Sequence, residues 1–320
     1  MIRKLMIASF SLFICLYALE RYAQQQPLER IQHILELENQ TLRVVDGVPV
    51  WRSKGAKSEA RSEPACLASG NGQPDVIILG DSILFGVRLP AENSLGPVLQ
   101  EQLLERHGRS SCVINLSEPG FTFSNQEVVL REALEKYKPK AVILEMWFNS
   151  TNHFVAVDGM AYNFGVLAKD INGLPDLGLP ASVNHVLFHN TALWKHISLG
   201  LASETSMPLS TEWERFVAEK LEPLATSLAA QDIDLILVYA TSLDAPFSAE
   251  RPTEDMAYGI VQEWSKKHNI PNLLFSEVFA DEDVASVAMD RCCHINEYGT
   301  KLVSSQLAPI VFDVLNKGVD

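Results

Sequence analysis

The stretch Val76-Ile77-Ile78-Leu79-Gly80-Asp81-Ser82-Ile83-Leu84-Phe85-Gly86 decides how the rest of this chain is read. Its four leading apolar residues fit a strand buried on both faces, and Gly80-Asp81-Ser82 interrupts them abruptly. Glycine at 80 permits a tight backbone path, and Ile83, Leu84 and Phe85 can begin a helix whose first amides face the same point. A hydroxyl is thereby delivered at a strand end, beside donors suited to an oxyanion. Taken alone, the stretch reads first as a strand-to-helix turn with Asp81 or Ser82 as N-cap. A catalytic reading needs partners for Ser82.

Working outward, apolar runs alternate with longer helical patterns. Strands are expected at Val76 to Leu79, Val113 to Leu116, Ala141 to Met146, Leu235 to Tyr239 and Leu273 to Phe275. Helices are expected at Leu95 to His107, Gln126 to Tyr137, Thr211 to Gln231, Pro252 to His268 and Asn296 to Leu315. That alternation predicts an α/β fold with a parallel sheet covered on both faces. The core domain is read as 74–320, with an insertion at about 152–208 where glycines and prolines break the rhythm. Ahead of it, 25–73 reads as a helical stem over Pro27 to Asn39, a hairpin turning at Asp46-Gly47, and a polar linker from Arg52 to Pro74.

Residues 1–24 read as a signal peptide or membrane anchor: Arg3 and Lys4 precede an apolar segment from Leu5 to Leu19, with Glu20 and Arg21 after it. This predicts an exported protein in contact with a membrane through that segment. It would be anchored in the inner membrane and face the periplasm, or be secreted or periplasmic if the segment is cleaved. The formal charge of −14, from 26 Lys plus Arg against 40 Asp plus Glu, argues against nucleic acid and anionic lipid headgroups as partners. Cys66, Cys112, Cys292 and Cys293 would lie in the exported part, where disulfides persist. Cys66 and Cys112 precede two core strands, while Cys292-Cys293 needs a vicinal bridge or separate partners. No cysteine or histidine spacing suggests zinc.

In a parallel sheet, sites form outside the carboxyl ends of the strands. The first three strand ends supply Gly80-Asp81-Ser82, then Ser117-Glu118-Pro119-Gly120, then Trp147-Phe148-Asn149-Ser150. Ser82 is the candidate nucleophile, with the amides of Ser82 and Gly120 and the side chain of Asn149 as candidate oxyanion donors. Just before the last helix, Asp290 and His294 supply a candidate orienting carboxylate and base. His185 and His189 have helical metal-ligand spacing but no accompanying glutamate, and read with His196 as surface or packing residues. His153 reads as part of a lid loop, and Trp194, Trp213 and Trp264 as helix-face packing.

Together these motifs resemble the SGNH/GDSL hydrolase superfamily from about Asp75 to the C-terminus. Gly80-Asp81-Ser82 looks like its first block, Gly120 its second, Asn149 its third, and Asp290 with His294 its last. The resemblance implies a three-layer α/β/α sandwich of the SGNH-hydrolase or flavodoxin-like kind. It implies a serine esterase or acyltransferase with a Ser82-His294-Asp290 set and a Ser82/Gly120/Asn149 oxyanion hole, without metal or organic cofactor. The substrate would be a small-molecule or glycan ester, and transfer of an acyl group to or from a cell-envelope polysaccharide is the close variant. Two positions depart from the pattern. Trp147 and Ser150 replace a glycine and an aspartate around Asn149, with Asn152 as the nearest rival donor. Asp290 and His294 are four residues apart instead of three, with Asp283 as fallback or a Ser-His dyad remaining. These departures leave a non-catalytic binding module of the same fold as the contrasting reading.

Overall fold

A computed structural model describes residues 15–25, 33–34, 40–46, 48–53, 59, 61–69, 72–147, 150–151, 154–157, 160–163, 174–175, 177–202, 209–247 and 249–317. The chain forms two compact units, one of Leu37–Val45, Val50–Asn152 and Met207–Asp320, the other of Met1–Glu36, Asp46–Pro49 and His153–Ser206.

Ten described strands occur along the chain: β1 (His33–Ile34), β2 (Gln40–Val45), β3 (Val48–Ser53), β4 (Val76–Leu79), β5 (Val113–Asn115), β6 (Ala141–Met146), β7 (Phe154–Val157), β8 (Met160–Asn163), β9 (Asp234–Tyr239) and β10 (Asn272–Leu274). The larger unit is built on a five-stranded sheet in the order β10-β9-β6-β4-β5. Every pairing in it is parallel, in register from Val76 opposite Val113 and Ala141 to Leu274 opposite Tyr239. All residues of β4, β5 and β6 are buried, which is why these strands read as nearly unbroken apolar runs rather than as alternating ones. Val76 and Ile78 share a core with Leu95, Leu99 and Leu103 and with Val303, Leu307 and Val311, contributed by the mutually packed helices Leu95–His107 and Glu297–Asn316. Helix Glu222–Ala229 packs against β9. Because β5 lies to one side of β4 and β6 to the other, the direction of winding reverses at β4, and in such a sheet ligand sites form beyond the carboxyl end of the strand where it reverses.

The five sheet strands and four of the five expected long helices match the sequence expectation to within about three residues at their ends, the usual uncertainty of element boundaries. Thr211 to Gln231, expected as one helix, runs as Leu209–Phe216, a π turn at Val217–Leu221, and Glu222–Ala229.

Three stretches ahead of or between the core elements differ from expectation. Of the helical stem expected over 27–39, the described residues are 33–34 alone, and they form β1, which pairs antiparallel with β8. The hydrophobic spacing there carried no information about a partner 130 residues on in sequence. The expected hairpin forms as β2 and β3, with Asp46 at φ 50° in its turn. Past it, the segment read as a linker is docked: helix Ala65–Ser69 carries Cys66 into a disulfide with Cys112, and Arg61 is buried, with Nη2 donating to the carbonyls of Gly86 and Leu89. In the smaller unit, β7 and β8 form a hairpin that the sequence reading left as insertion, followed by helices Ala181–Asn190 and Ala192–Leu201.

The expected anchor falls partly outside the described residues. Residues 15–23 are helical, and the Glu20 carboxylate accepts from the amides of Ala192 and Leu193 at 2.8 and 2.9 Å, a favourable placement at a helix N-terminus. Among the described residues no helix is long and apolar enough to cross a membrane.

Candidate active site

The turn after β4 is fixed before Ser82 is reached. Asp81 caps the short helix Ser82–Phe85, its Oδ1 accepting from the Ile83 amide at 2.8 Å, and Gly86 at φ 72° closes it. Ile83, Leu84 and Phe85 are buried and anchor the turn in the core. The N-cap role read from sequence is therefore real, and it is compatible with presenting a hydroxyl. Gly80 has no positive φ; what requires glycine is space, since a Cβ there would lie 2.2 Å from Glu145 Oε2 and 2.9 Å from Leu84 Cβ.

The second half of the site is the loop before the last helix. A bridge between Ala288 and Ile295 closes its base, and the Met289 amide donates to the His294 carbonyl at 2.8 Å. Within it, Asp290 Oδ1 accepts from the amides of Cys292 and Cys293 at 3.0 and 3.3 Å, folding the chain around its own carboxylate. Cys292 and Cys293 are joined in a vicinal disulfide, and the Cys292 carbonyl accepts from the Leu243 amide at 2.7 Å. Asn296 caps the helix that follows, through the Gly299 amide.

These two halves meet. His294 Nε2 lies 2.9 Å from Ser82 Oγ, and His294 Nδ1 lies 2.6 Å from Asp290 Oδ2. The four-residue spacing leaves the carboxylate on the imidazole because the extra residue is taken up in the Asp290 turn. Burial alone would raise the Asp290 pKa, but the His294 hydrogen bond and the Cys292 and Cys293 amides outweigh it and lower it to about 2. Arg88, held at φ 68°, places Nη1 3.8 Å from Asp290 Oδ2. Asp283, the fallback, instead caps the short helix Val284–Val287.

Gly120 sits in a turn at φ 82°, a conformation that suits glycine. Its loop runs beside the Gly80-Asp81-Ser82 turn: the Leu116 amide donates to the Ile78 carbonyl at 2.8 Å, and the Glu118 amide to the Gly80 carbonyl at 3.2 Å. The hairpin β2–β3 braces that loop from outside. Trp51 Nε1 donates to the Pro119 carbonyl, and Ser53 donates to Glu118 Oε2 through both its amide and its hydroxyl. Asn149, its rival Asn152 and His153 lie outside the described residues. Nearby, Ser150 Oγ accepts from the Trp147 amide at 2.9 Å, and Trp147 is packed in the core.

Of the remaining candidates, the His185 and His189 rings lie tilted at 45° with centroids 4.3 Å apart, and His196 Nε2 contacts the Ala23 carbonyl. Among the described residues no group of three or more side chains is arranged to hold a metal. Trp213 is fully buried, Trp264 is buried and donates to Glu222, and Trp194 donates to Asn184.

Sequence reasoning missed Glu145. It is 1% exposed at the carboxyl end of β6, and its Oε2 accepts from the Asp81 amide at 2.6 Å. A lone acid inside the otherwise apolar Ala141 to Met146 was the available signal.

No family model matches the chain. Over 85 residues it is 35% identical to the arylesterase of Vibrio mimicus, a match covering 26% of this chain and 42% of that protein. The matched part is thus less than half of that relative's length. Among solved structures, the chain is similar to an α/β hydrolase from the metagenome of Lake Arreo, Spain, at 16% identity, covering 76% of this chain and 97% of the other, with a TM-score of 0.47. It is similar to a lipase/acylhydrolase from Enterococcus faecalis at 16% identity, covering 76% and 96%, with a TM-score of 0.45. It is also similar to a member of the lipolytic G-D-S-L family from Veillonella parvula at 13% identity, covering 74% and 97%, with a TM-score of 0.42.

Proposed function

We propose that this chain is a serine ester hydrolase of the SGNH/GDSL type, with the three-layer α/β/α organisation of that superfamily, exported behind its N-terminal segment. The observation that carries the reading is the unbroken line of contacts from Ser82 Oγ to His294 Nε2 at 2.9 Å and from His294 Nδ1 to Asp290 Oδ2 at 2.6 Å. A serine hydroxyl is a weak nucleophile until a base takes its proton, and an imidazole serves best when a carboxylate fixes its tautomer.

In this reading Ser82 Oγ attacks the ester carbonyl while its proton passes to His294 Nε2. Asp290, ionised at neutral pH, steadies the imidazolium. The oxyanion is held by the amides of Ser82 and Gly120 and by the Asn149 side chain. Collapse of the tetrahedral intermediate breaks the ester C–O bond, and the departing alcohol takes the proton from His294. Water, deprotonated by the same imidazole, then releases the acyl group from Ser82. The local likeness to an arylesterase supports an ester of a small molecule as substrate, and a glycan ester fits the same chemistry. Export is supported by the positively charged start of the chain and by two disulfides, Cys66–Cys112 and Cys292–Cys293, a bond type that persists in oxidising compartments.

The test is turnover of an aryl acetate by the purified chain. Ser82→Ala is expected to lower kcat/KM by about a thousandfold or more while the protein stays folded. Turnover that persists in this variant contradicts the assignment, and a folded wild-type protein with no turnover of aryl or glycan esters favours the binding-module reading.

A further inference from the structure

Beneath the nucleophile turn lie two carboxyl groups that the mechanism above does not use. Asp81 is 5% exposed and Glu145 1%, and among the described residues neither pairs with a lysine or arginine. Glu145 Oε2 accepts the Asp81 amide at 2.6 Å, which brings two buried acidic residues into direct contact. Gly80 has no room for a Cβ because the Glu145 carboxyl fills that space. The acid therefore touches the first two residues of the Gly80-Asp81-Ser82 turn.

Two negative charges at this separation, without a counter-ion and away from water, cannot both persist. Which carboxyl keeps the proton follows from their donors. Asp81 Oδ1 accepts the Ile83 amide at 2.8 Å, a donor that favours its charged form. Glu145 Oε2 accepts one amide, while its Oε1 has no hydrogen-bond partner. The other titratable groups on this pair are Tyr258, whose hydroxyl donates to the Ala240 carbonyl, with Glu254 and Tyr239 beyond it.

We propose that Glu145 is a positioning residue for Ser82: as a neutral acid it accepts the Asp81 amide, and so presets the nucleophile turn with one buried charge instead of two. Burial and the neighbouring Asp81 charge push the Glu145 carboxyl well above the usual carboxylate range, in agreement with that arrangement. This inference rests on Ser82 being the nucleophile, and Ser82→Ala, assayed in parallel, reports on that premise separately.

The experiment compares Glu145→Leu and Glu145→Gln in the full chain, with circular dichroism confirming the fold. Leucine removes the hydrogen bond to the Asp81 amide and is expected to lower kcat by about thirtyfold or more with KM within about twofold. Glutamine keeps the acceptor for the Asp81 amide without charge, and is expected to restore kcat to within about threefold of wild type. In Glu145→Gln the acid limb of the kcat/KM profile should stay where it is, because no charge has been removed. A shift of that limb to lower pH by about half a unit or more means that Glu145 was ionised beside the imidazole, and overturns the proposal. So does a folded Glu145→Gln that loses kcat as leucine does, or a folded Glu145→Leu with undiminished kcat. Because the glutamine variant alone decides the charge question, failure of Glu145→Leu to fold leaves the test standing.

Discussion

Asp81 and Asp290 stand on opposite sides of the Ser82–His294 contact, and the fold treats these chemically identical groups in opposite ways. Asp81 is sealed beneath the sheet's carboxyl ends, where desolvation dominates its few hydrogen bonds and raises its pKa to about 6. Asp290 sits on an outer loop with 22% of its side chain exposed; the His294 ring and a folded-back run of amides overcome the smaller cost of burial and lower it to about 2. The inner aspartate is built to shape the turn, and the outer one to carry a charge against an imidazole. A carboxyl's role at such a site is set by how many donors reach it and how little water does, not by its distance from the nucleophile.

The sharpest break in that comparison is to neutralise each aspartate in turn. Asp290→Asn is expected to lower kcat/KM by about 10³ to 10⁴, since an amide stabilises neither the imidazolium nor the right tautomer. Asp81→Asn keeps an oxygen for the Ile83 amide and is expected to cost about tenfold or less, with the acid limb of the profile moved to lower pH by loss of a nearby negative charge. Equal losses in the two variants would erase the distinction.

A smaller effect separates them in stability. The Asp290 pKa is lowered on folding, so its contribution is present above the unfolded value near 4 and is lost as pH falls toward about 2, and solvent around the partly exposed carboxylate keeps it small. The Asp81 pKa is raised, so its contribution is present below about 4 and is lost as pH rises through about 6. Melting temperature measured against pH should therefore flatten between about 2 and 4 in Asp290→Asn, and between about 4 and 6 in Asp81→Asn. An unchanged curve in either variant would contradict the environment assigned to that residue.

The same contrast explains what could be read from the sequence. Strands buried on both faces announce themselves as apolar runs, so the sheet was legible, and with it the strand-end position of Ser82. Asp290 and His294 were legible because they share one loop before a helix, and local chain geometry brings them together. Contacts made across the sequence were not. Glu145 lies 64 residues from Asp81, and Arg61 and Cys66 sit in a polar stretch whose composition resembles a linker. The pairing of β1 with β8 has no local signature at all, and Leu28, Ile31 and Ile34 at helical spacing pointed the other way. Composition reports how much of a segment is apolar, whereas Arg61 and Glu145 are buried through individual hydrogen bonds to distant backbone atoms.

The central claim is that His294 and Asp290 activate Ser82 as a nucleophile, and the most direct measurement is the site of covalent capture by a fluorophosphonate. After labelling of the folded full chain, peptide mass spectrometry is expected to place one phosphonyl group on Ser82, with labelling abolished in Ser82→Ala and strongly slowed in Asp290→Asn. An adduct on another residue, or none on folded protein, would contradict the account.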